Sequence, residues 1–236
     1  MKEEKLLIFT ATLNEVDNIL EWYKQIRSYY PYTQILVVDD NSSDGTLEIL
    51  NEIKLVDTHF DFHLRPRKLG VGSAHQYAQN YAYDHHFNFL LTMDADLSHM
   101  PSQIGRFVEA ADKYDFVVGT RWVGGTCNYQ GLRLFMSKNA NRLMRNLIPT
   151  GLSEYTTSFR IFNSKAIITM LNNPPDESGY GYFVETIELM FRKKLKLGEV
   201  PINFQDRNFG KSKIPKNQIF KSAFLLLKLY LGRLIR

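Results

Sequence analysis

The chain has 236 residues, of which 44% are apolar, 23% charged and 13% aromatic. That holds one large domain, or one with an appendage, and excludes disordered, collagen-like and low-complexity chains. Lys plus Arg is 29 against 25 for Asp plus Glu, and a net charge of +4 is too small and scattered to argue for nucleic-acid binding. The single cysteine, Cys127, excludes an intramolecular disulfide and a Cys-rich zinc site, and it fits a reducing compartment.

The opening MKEEKLLIFTATLNE carries acids and lacks an apolar leader, so a cytoplasmic setting is expected. Within it, residues 5–12 form an apolar run that reads as a buried strand. Asn14 or Asp17 is placed to cap a following helix that runs to about Tyr29. Gln34 to Val38 is a second strand, ending in the turn cluster Asp39-Asp40-Asn41-Ser42-Ser43-Asp44-Gly45, and a helix follows from Thr46 to about Ile53. Phe60 to Leu64 reads as a weak third strand, and Gly70 and Gly72 open a helix that runs to about His85. Phe87 to Met93 is a strong strand ending at Asp94-Ala95-Asp96; Pro101 opens another helix, and Phe116 to Gly119 is a further strand. Helices are expected over 131–148, 183–195 and 219–236, the first and last rich in Lys and Arg.

This strand–helix rhythm predicts a mostly parallel sheet with helices on both faces. Ligands of such sheets bind outside the carboxyl ends of the strands, where Asp39, Asp40, Asp94 and Asp96 all fall. One such Asp alone would read as a helix cap, but two acidic pairs after two apolar strands suggest a ligand. Asp94 and Asp96 are oxygen donors suited to Mg²⁺, which takes one or two carboxylates plus substrate phosphates. A carboxylate of the Asp39-Asp40 pair can accept two hydrogen bonds from a ribose diol or a base edge. Asp44-Gly45 reads as an Asx-turn. His75, His85, His86 and His99 lack metal-ligand spacing, and Cys127 lacks an evident paired base. Trp22 and Trp122 read as packing residues; Tyr180-Gly181-Tyr182 reads as a mobile or packed aromatic segment near a substrate site, with plain core packing as the alternative.

The ordered set Thr12-Leu13-Asn14-Glu15, Val37 to Thr46, Lys68 to Ala74, Met93 to His99, Gly119 to Gly125, Thr157 to Arg160 and Arg207 to Lys213 resembles the family 2 glycosyltransferases. The likeness is to their dolichol- or polyprenyl-phosphate mannosyltransferase-like branch and spans roughly residues 5–215. It implies a GT-A fold over residues 1–215; residues 216–236 read separately, from their own spacing, as a basic amphipathic helix. The likeness also implies a nucleotide-sugar donor (a GDP- or UDP-hexose), Mg²⁺ or Mn²⁺, and inversion at the anomeric carbon. Carried over by residue, Thr12, Leu13, Glu15, Asp39, Asp40, Lys68, Gly70, Gly72 and Asp94 would bind the donor. Asp94, Asp96 and Ser98 would hold the metal, with Asp96 and Arg121 catalytic; Arg121, Arg133, Ser137, Arg207 and Lys213 would surround phosphate. The chain departs from the branch at Ala11 (usually Pro), Glu154 (Asp), Ser158 (Gly), Lys211 (an acid) and Phe183 (Gln), mostly in the acceptor half.

A polyprenyl-phosphate acceptor is already a nucleophile with about −1.5 to −2 charge, so positioning and charge screening suffice. A sugar-hydroxyl acceptor would need a carboxylate base, for which Glu154 and Glu185 are the candidates; either could instead serve a structural ion pair. The helix over 219–236 places Lys221, Lys228, Arg233 and Arg236 on one side and Phe220, Phe224, Leu227 and Leu231 on the other. Such a helix can lie on a membrane surface, dock a separate anchor subunit, mediate dimerisation or pack on its own core. Peripheral attachment to the cytoplasmic face is therefore expected. Two other readings are a polysaccharide-type transferase and a non-catalytic membrane-binding module. A dinucleotide-binding dehydrogenase is disfavoured because no GxGxxG follows the first strand.

Overall fold

The structure, a computed structural model, describes residues 5–177, 179 and 181–206. Tyr180, Arg207, Lys211, Lys213, the division near residue 215 and the expected helix over 219–236 lie outside the described residues.

The strands are β1 (Leu6–Thr12), β2 (Gln34–Asp39), β3 (Phe60–Leu64), β4 (Phe89–Thr92), β5 (Phe116–Thr120), β6 (Thr126–Cys127), β7 (Arg160–Asn163), β8 (Leu197–Pro201) and β9 (Asn203–Phe204). The helices are α1 (Ile19–Tyr29), α2 (Thr46–Val56), α3 (Val71–Asp84), α4 (Ile104–Ala110), α5 (Gly131–Leu147), α6 (Ser164–Asn172) and α7 (Gly181–Arg192). A seven-stranded sheet runs β3-β2-β1-β4-β7-β5-β8, and β6 pairs with β9 in a small second sheet. Within the large sheet β7 alone is antiparallel, lying between β4 and β5.

Period-two alternation of the apolar strands divides the core between the two sheet faces. Leu7, Phe9, Leu36, Val38, Leu90 and Phe162 pack with α3, α6 and α7. Leu6, Ile8, Ile35, Val37, Leu91 and Ile161 pack with Ile19 and Trp22 of α1, Leu50 of α2 and Phe107 of α4. Strands buried on both faces read as continuous apolar runs, which is why β1, β2, β4 and β5 stood out in the sequence.

Several boundaries differ from expectation. Neither Asn14 nor Asp17 caps α1: Asn18 precedes the helix, while Asn14 sits at φ 54° and accepts a hydrogen bond from the Ser43 N–H. Pro101 opens a 3-10 turn over Pro101–Gln103 before α4 begins. The helix expected over 183–195 is α7, which ends at Arg192 because Lys194 turns to φ 56°. Strands β6 to β9 and helix α6 had not been expected. β7 is only four residues long and opens on Arg160, so it lacks the apolar length of a buried strand.

Candidate active site

Chain order turns back at β1: β2 and β3 lie on one side of it and β4 on the other. Ligands of open α/β sheets bind in the crevice such a reversal leaves at the strands' carboxyl ends. The loops after β1, β2 and β4 meet there, and hydrogen bonds knit the first two together. Asp39 is fully buried; its carboxylate accepts from the Thr12 hydroxyl (2.7 Å), the Ser42 N–H (2.7 Å) and the Ser42 hydroxyl (2.6 Å). The Asn14 N–H donates to Ser42 Oγ, and the Glu15 N–H to Thr46 Oγ1. Asp44 accepts from the Thr46 and Val16 N–H groups, so the expected Asx-turn is present and also braces the β1 loop. Glu15 accepts from the Asn18 amide, bracing the start of α1.

Asp40 organises a third loop. Its carboxylate accepts from the N–H groups of Leu69 (3.2 Å) and Gly70 (3.1 Å), and Arg65 Nε lies 2.8 Å from Oδ1. That Arg65 contact is an off-line ion pair; the aligned hydrogen bonds of the guanidinium go to Ser73 Oγ and the Gly70 carbonyl. Burial pulls the Arg65 pKa below its ordinary value, against the opposing pull of Asp40 and Asp39. Gly70 adopts φ 95°, a region open to glycine, and so carries the chain into α3. Lys68 is exposed on this loop, and Gly72 is buried in the first turn of α3. Arg65 was not among the candidates, since an arginine outside every motif gives no signal until the fold sets it beside Asp40.

At the end of β4, Asp96 is buried and accepts from the Ser98 N–H (3.1 Å) and hydroxyl (2.6 Å), so Ser98 supports Asp96. The Asp94 side chain is 47% exposed and accepts from the Ser158 hydroxyl at 2.5 Å. The Asp94 N–H donates to His99 Nδ1 at 3.1 Å. An accepting Nδ1 assigns the ring hydrogen to Nε2, 3.2 Å from Thr157 Oγ1. Burial lowers the His99 pKa, outweighing the Asp94 and Asp96 charges that would raise it, and the ring is neutral. Among the described residues no three His, Cys, Asp or Glu side chains group as a metal site. A cation here would draw on two carboxylates and complete its shell from phosphate and water. That donor set fits a hard divalent ion.

The loop after β5 carries the cationic side. Arg121 Nε donates to Glu154 Oε2 at 2.7 Å and Nη2 to Thr156 Oγ1 at 2.9 Å. Its guanidinium carbon lies 5.1 Å from the Trp122 and Phe204 ring centres and 5.8 Å from that of Tyr129. Glu154 is fully buried, and its other oxygen accepts from the Tyr155 and Thr156 N–H groups and the Thr156 hydroxyl. Burial pushes the Glu154 pKa up, but Arg121 and these donors outweigh it and hold the group below its ordinary value. Arg121 is raised, since Glu154 outweighs the desolvation that works against its charge. Glu154 thus fills the ion-pair role considered for it. Glu185 lies on α7 and accepts from the Glu177 N–H, holding the loop before α7.

Arg133, at the start of α5, makes a two-pronged contact with Asp206 (2.8 and 2.7 Å) and stacks 3.7 Å over Tyr129. Ser137 is half-buried one turn further along, its carbonyl accepting from the Asn141 amide. Beside the Arg121 rings, Thr126, Cys127, Asn128, Asn203, Phe204 and Gln205 line a cleft of about 440 Å³. Arg160, also outside the candidate set, is fully buried and donates to the carbonyls of Thr157, Phe183 and Tyr155. It thereby fixes the segment that carries Glu154, Thr157 and Ser158.

The glycosyl transferase family 2 model matches residues 7–171, which include both acidic pairs and the Arg121–Glu154 clamp. Polyprenol monophosphomannose synthase of Mycolicibacterium smegmatis is 30% identical over 226 residues, covering 94% of this chain and 85% of that protein. Undecaprenyl-phosphate mannosyltransferase of Micrococcus luteus is 28% identical over 212 residues, covering 89% and 87%. The crystal structure of Mycobacterium tuberculosis glucosyl-3-phosphoglycerate synthase with Mn²⁺, UDP and phosphoglyceric acid superposes with a TM-score of 0.66. It is 17% identical, and the match covers 98% of this chain and 78% of that one. With its GT-A sheet and its acidic loops gathered at the β1 reversal, this chain belongs to glycosyl transferase family 2.

Proposed function

We propose that the chain is an inverting transferase that moves a hexosyl unit, mannosyl in the first instance, from a nucleotide sugar to a polyprenyl phosphate. The two mannosyltransferase relatives are named for lipid-phosphate acceptors, and the likeness to each spans most of both chains. In this reading the loops of Thr12, Leu13, Glu15, Asp39, Asp40, Lys68, Gly70 and Gly72 seat the nucleoside. Asp94 and Asp96, with Ser98 behind them, would hold Mg²⁺ or Mn²⁺ against the donor diphosphate. The M. tuberculosis structure contains Mn²⁺ with UDP. The ion would neutralise the leaving diphosphate. Arg121, held in place by Glu154 and Thr156, would orient an incoming anion by hydrogen bonding.

The observation that carries the lipid-phosphate reading is the state of Glu154. A base for a hydroxyl acceptor needs an open oxygen and a pKa near neutrality. Glu154 is buried, both its oxygens are engaged, and Arg121 holds its pKa down. A phosphate acceptor needs no such base.

The lipid substrate implies work at a bilayer surface. No helix among the described residues is long and apolar enough to cross a membrane. Helix α5 exposes Leu132, Phe135, Met136 and Leu143 on the side opposite buried Asn141 and Met144. It carries Arg133, Lys138, Arg142 and Arg145 and no acid. Residues 207–236 carry eight Lys and Arg and no acid. Exposed apolar side chains among these cations favour an anionic bilayer on the cytoplasmic side. Flotation with phosphatidylglycerol vesicles should recover the wild type, and Phe135→Ser with Leu143→Ser should leave it at the bottom; equal recovery would reject this surface.

The transfer is tested with labelled GDP-mannose, GDP-glucose, UDP-glucose and UDP-galactose, Mn²⁺ or Mg²⁺, and polyprenyl phosphate beside polyprenol and saccharide acceptors. A labelled lipid dependent on both phosphate and metal is expected. Transfer to a saccharide hydroxyl, with none to polyprenyl phosphate, would replace this reading with that of a polysaccharide-type transferase.

A further inference from the structure

We propose that Ser158 is a positioning residue that holds Asp94 for cation binding, and that its hydroxyl sets the metal affinity of the site. This rests on the metal-dependent reading above.

The placement follows from the sheet. β4 and β7 are antiparallel with Thr92 opposite Arg160. Continuing that register two residues past Thr92, and two back from Arg160, sets Asp94 opposite Ser158. Two contacts hold Ser158 there. Thr92 Oγ1 donates to the Ser158 carbonyl, which fixes the main chain independently of the serine side chain. Ser158 Oγ in turn donates to Asp94 Oδ1 at 2.5 Å. Ser158 is 5% exposed, whereas the Asp94 side chain is 47% exposed. A buried donor on an anchored main chain therefore grips a carboxylate that faces the site.

His99 holds the backbone of Asp94 and lies 3.7 Å from its other carboxylate oxygen. Neutral His99 accepts the Asp94 N–H through Nδ1, and its Nε2 meets Thr157 Oγ1. The ring is 1% exposed and packs against Phe159 and Phe204. The N–H contact fixes where the Asp94 backbone sits; the Ser158 hydroxyl fixes how its carboxylate is turned. A glycine here would supply no donor. Partners that orient a metal ligand typically contribute 10–100-fold to metal affinity or activity.

The test is calorimetric titration of Mn²⁺ into wild type, Ser158→Ala and Ser158→Gly, each saturated with GDP or UDP. Manganese paramagnetic resonance gives an independent count of bound ion. Affinity for the same nucleotide is also measured in EDTA. Both variants should bind Mn²⁺ about 10-fold or more weakly while keeping their metal-free nucleotide affinity. A variant that loses both affinities together would show that Ser158 only supports the loop, and one that binds Mn²⁺ like wild type would show that its hydroxyl does not set metal affinity; either result overturns the proposal. Absence of Mn²⁺ binding in the wild type would instead remove the metal-dependent reading beneath it.

Discussion

Glu154→Ala offers a sharp separation between a structural clamp and a catalytic base. Glu154 is fully buried, and Arg121, its partner at 2.7 Å, is 7% exposed. Removing one member of a buried pair leaves the other charge dehydrated and typically costs about 3–5 kcal/mol. Domain stabilities are about 5–15 kcal/mol, so this single change removes a large share of the total. Replacing both residues, as Arg121→Met with Glu154→Met, should cost less than Glu154→Ala alone, because no orphan charge remains. Urea unfolding at pH 7 reads this as a lower midpoint at unchanged slope. The contribution also depends on pH. Glu154 is depressed in the fold, so its stabilisation is present above the unfolded carboxylate pKa of about 4.3 and is lost as pH falls through the lower folded value. A Glu154→Ala protein of wild-type stability and no transfer activity would refute the clamp and restore Glu154 as a base.

Arg65→Ala should raise KM for the donor and lower stability by about 3 kcal/mol, because buried Asp40 loses its cation and the Gly70 turn its staple; steady-state kinetics and urea unfolding check both. Burial lowers the His75 pKa to about 3, and Nδ1 of that ring has no hydrogen-bond partner. Between pH 6.5 and 3 the unfolded chain binds a proton that the fold refuses, so stability falls with acid. From pH 7 to 5.5 His75 accounts for about 1 kcal/mol of that loss; His75→Phe should remove that share, and identical pH slopes in the two proteins would refute it. A Cβ at Gly125 would lie 2.2 Å from the Thr120 carbonyl oxygen and 2.7 Å from that of Ile202. Both are backbone atoms, so Gly125→Ala should cost about 1–3 kcal/mol and disturb the β6–β9 pairing beside Arg121; an unshifted thermal midpoint would contradict this.

Read from the sequence alone, the strands near residues 5–12, 34–38, 87–93 and 116–119 were legible because strands covered on both faces carry near-continuous apolar runs. The acidic pairs were legible because each directly follows such a strand. What each acid does was decided by partners remote in sequence. Asp39 and Asp40 both read as nucleoside ligands, and the fold braces them differently, Asp39 by Thr12 of the β1 loop and Asp40 by Arg65 and the Leu69–Gly70 backbone. Glu154 kept two roles open until the fold set it against Arg121, 33 residues away. β7 escaped notice because four residues opening on an arginine carry no apolar signature, and that strand brings Ser158 to Asp94 across 64 residues. Local composition determined which segments are buried and where charge collects. The antiparallel register and the pairing of buried charges are long-range choices, settled only when the sheet closes and each desolvated group must find its counterpart.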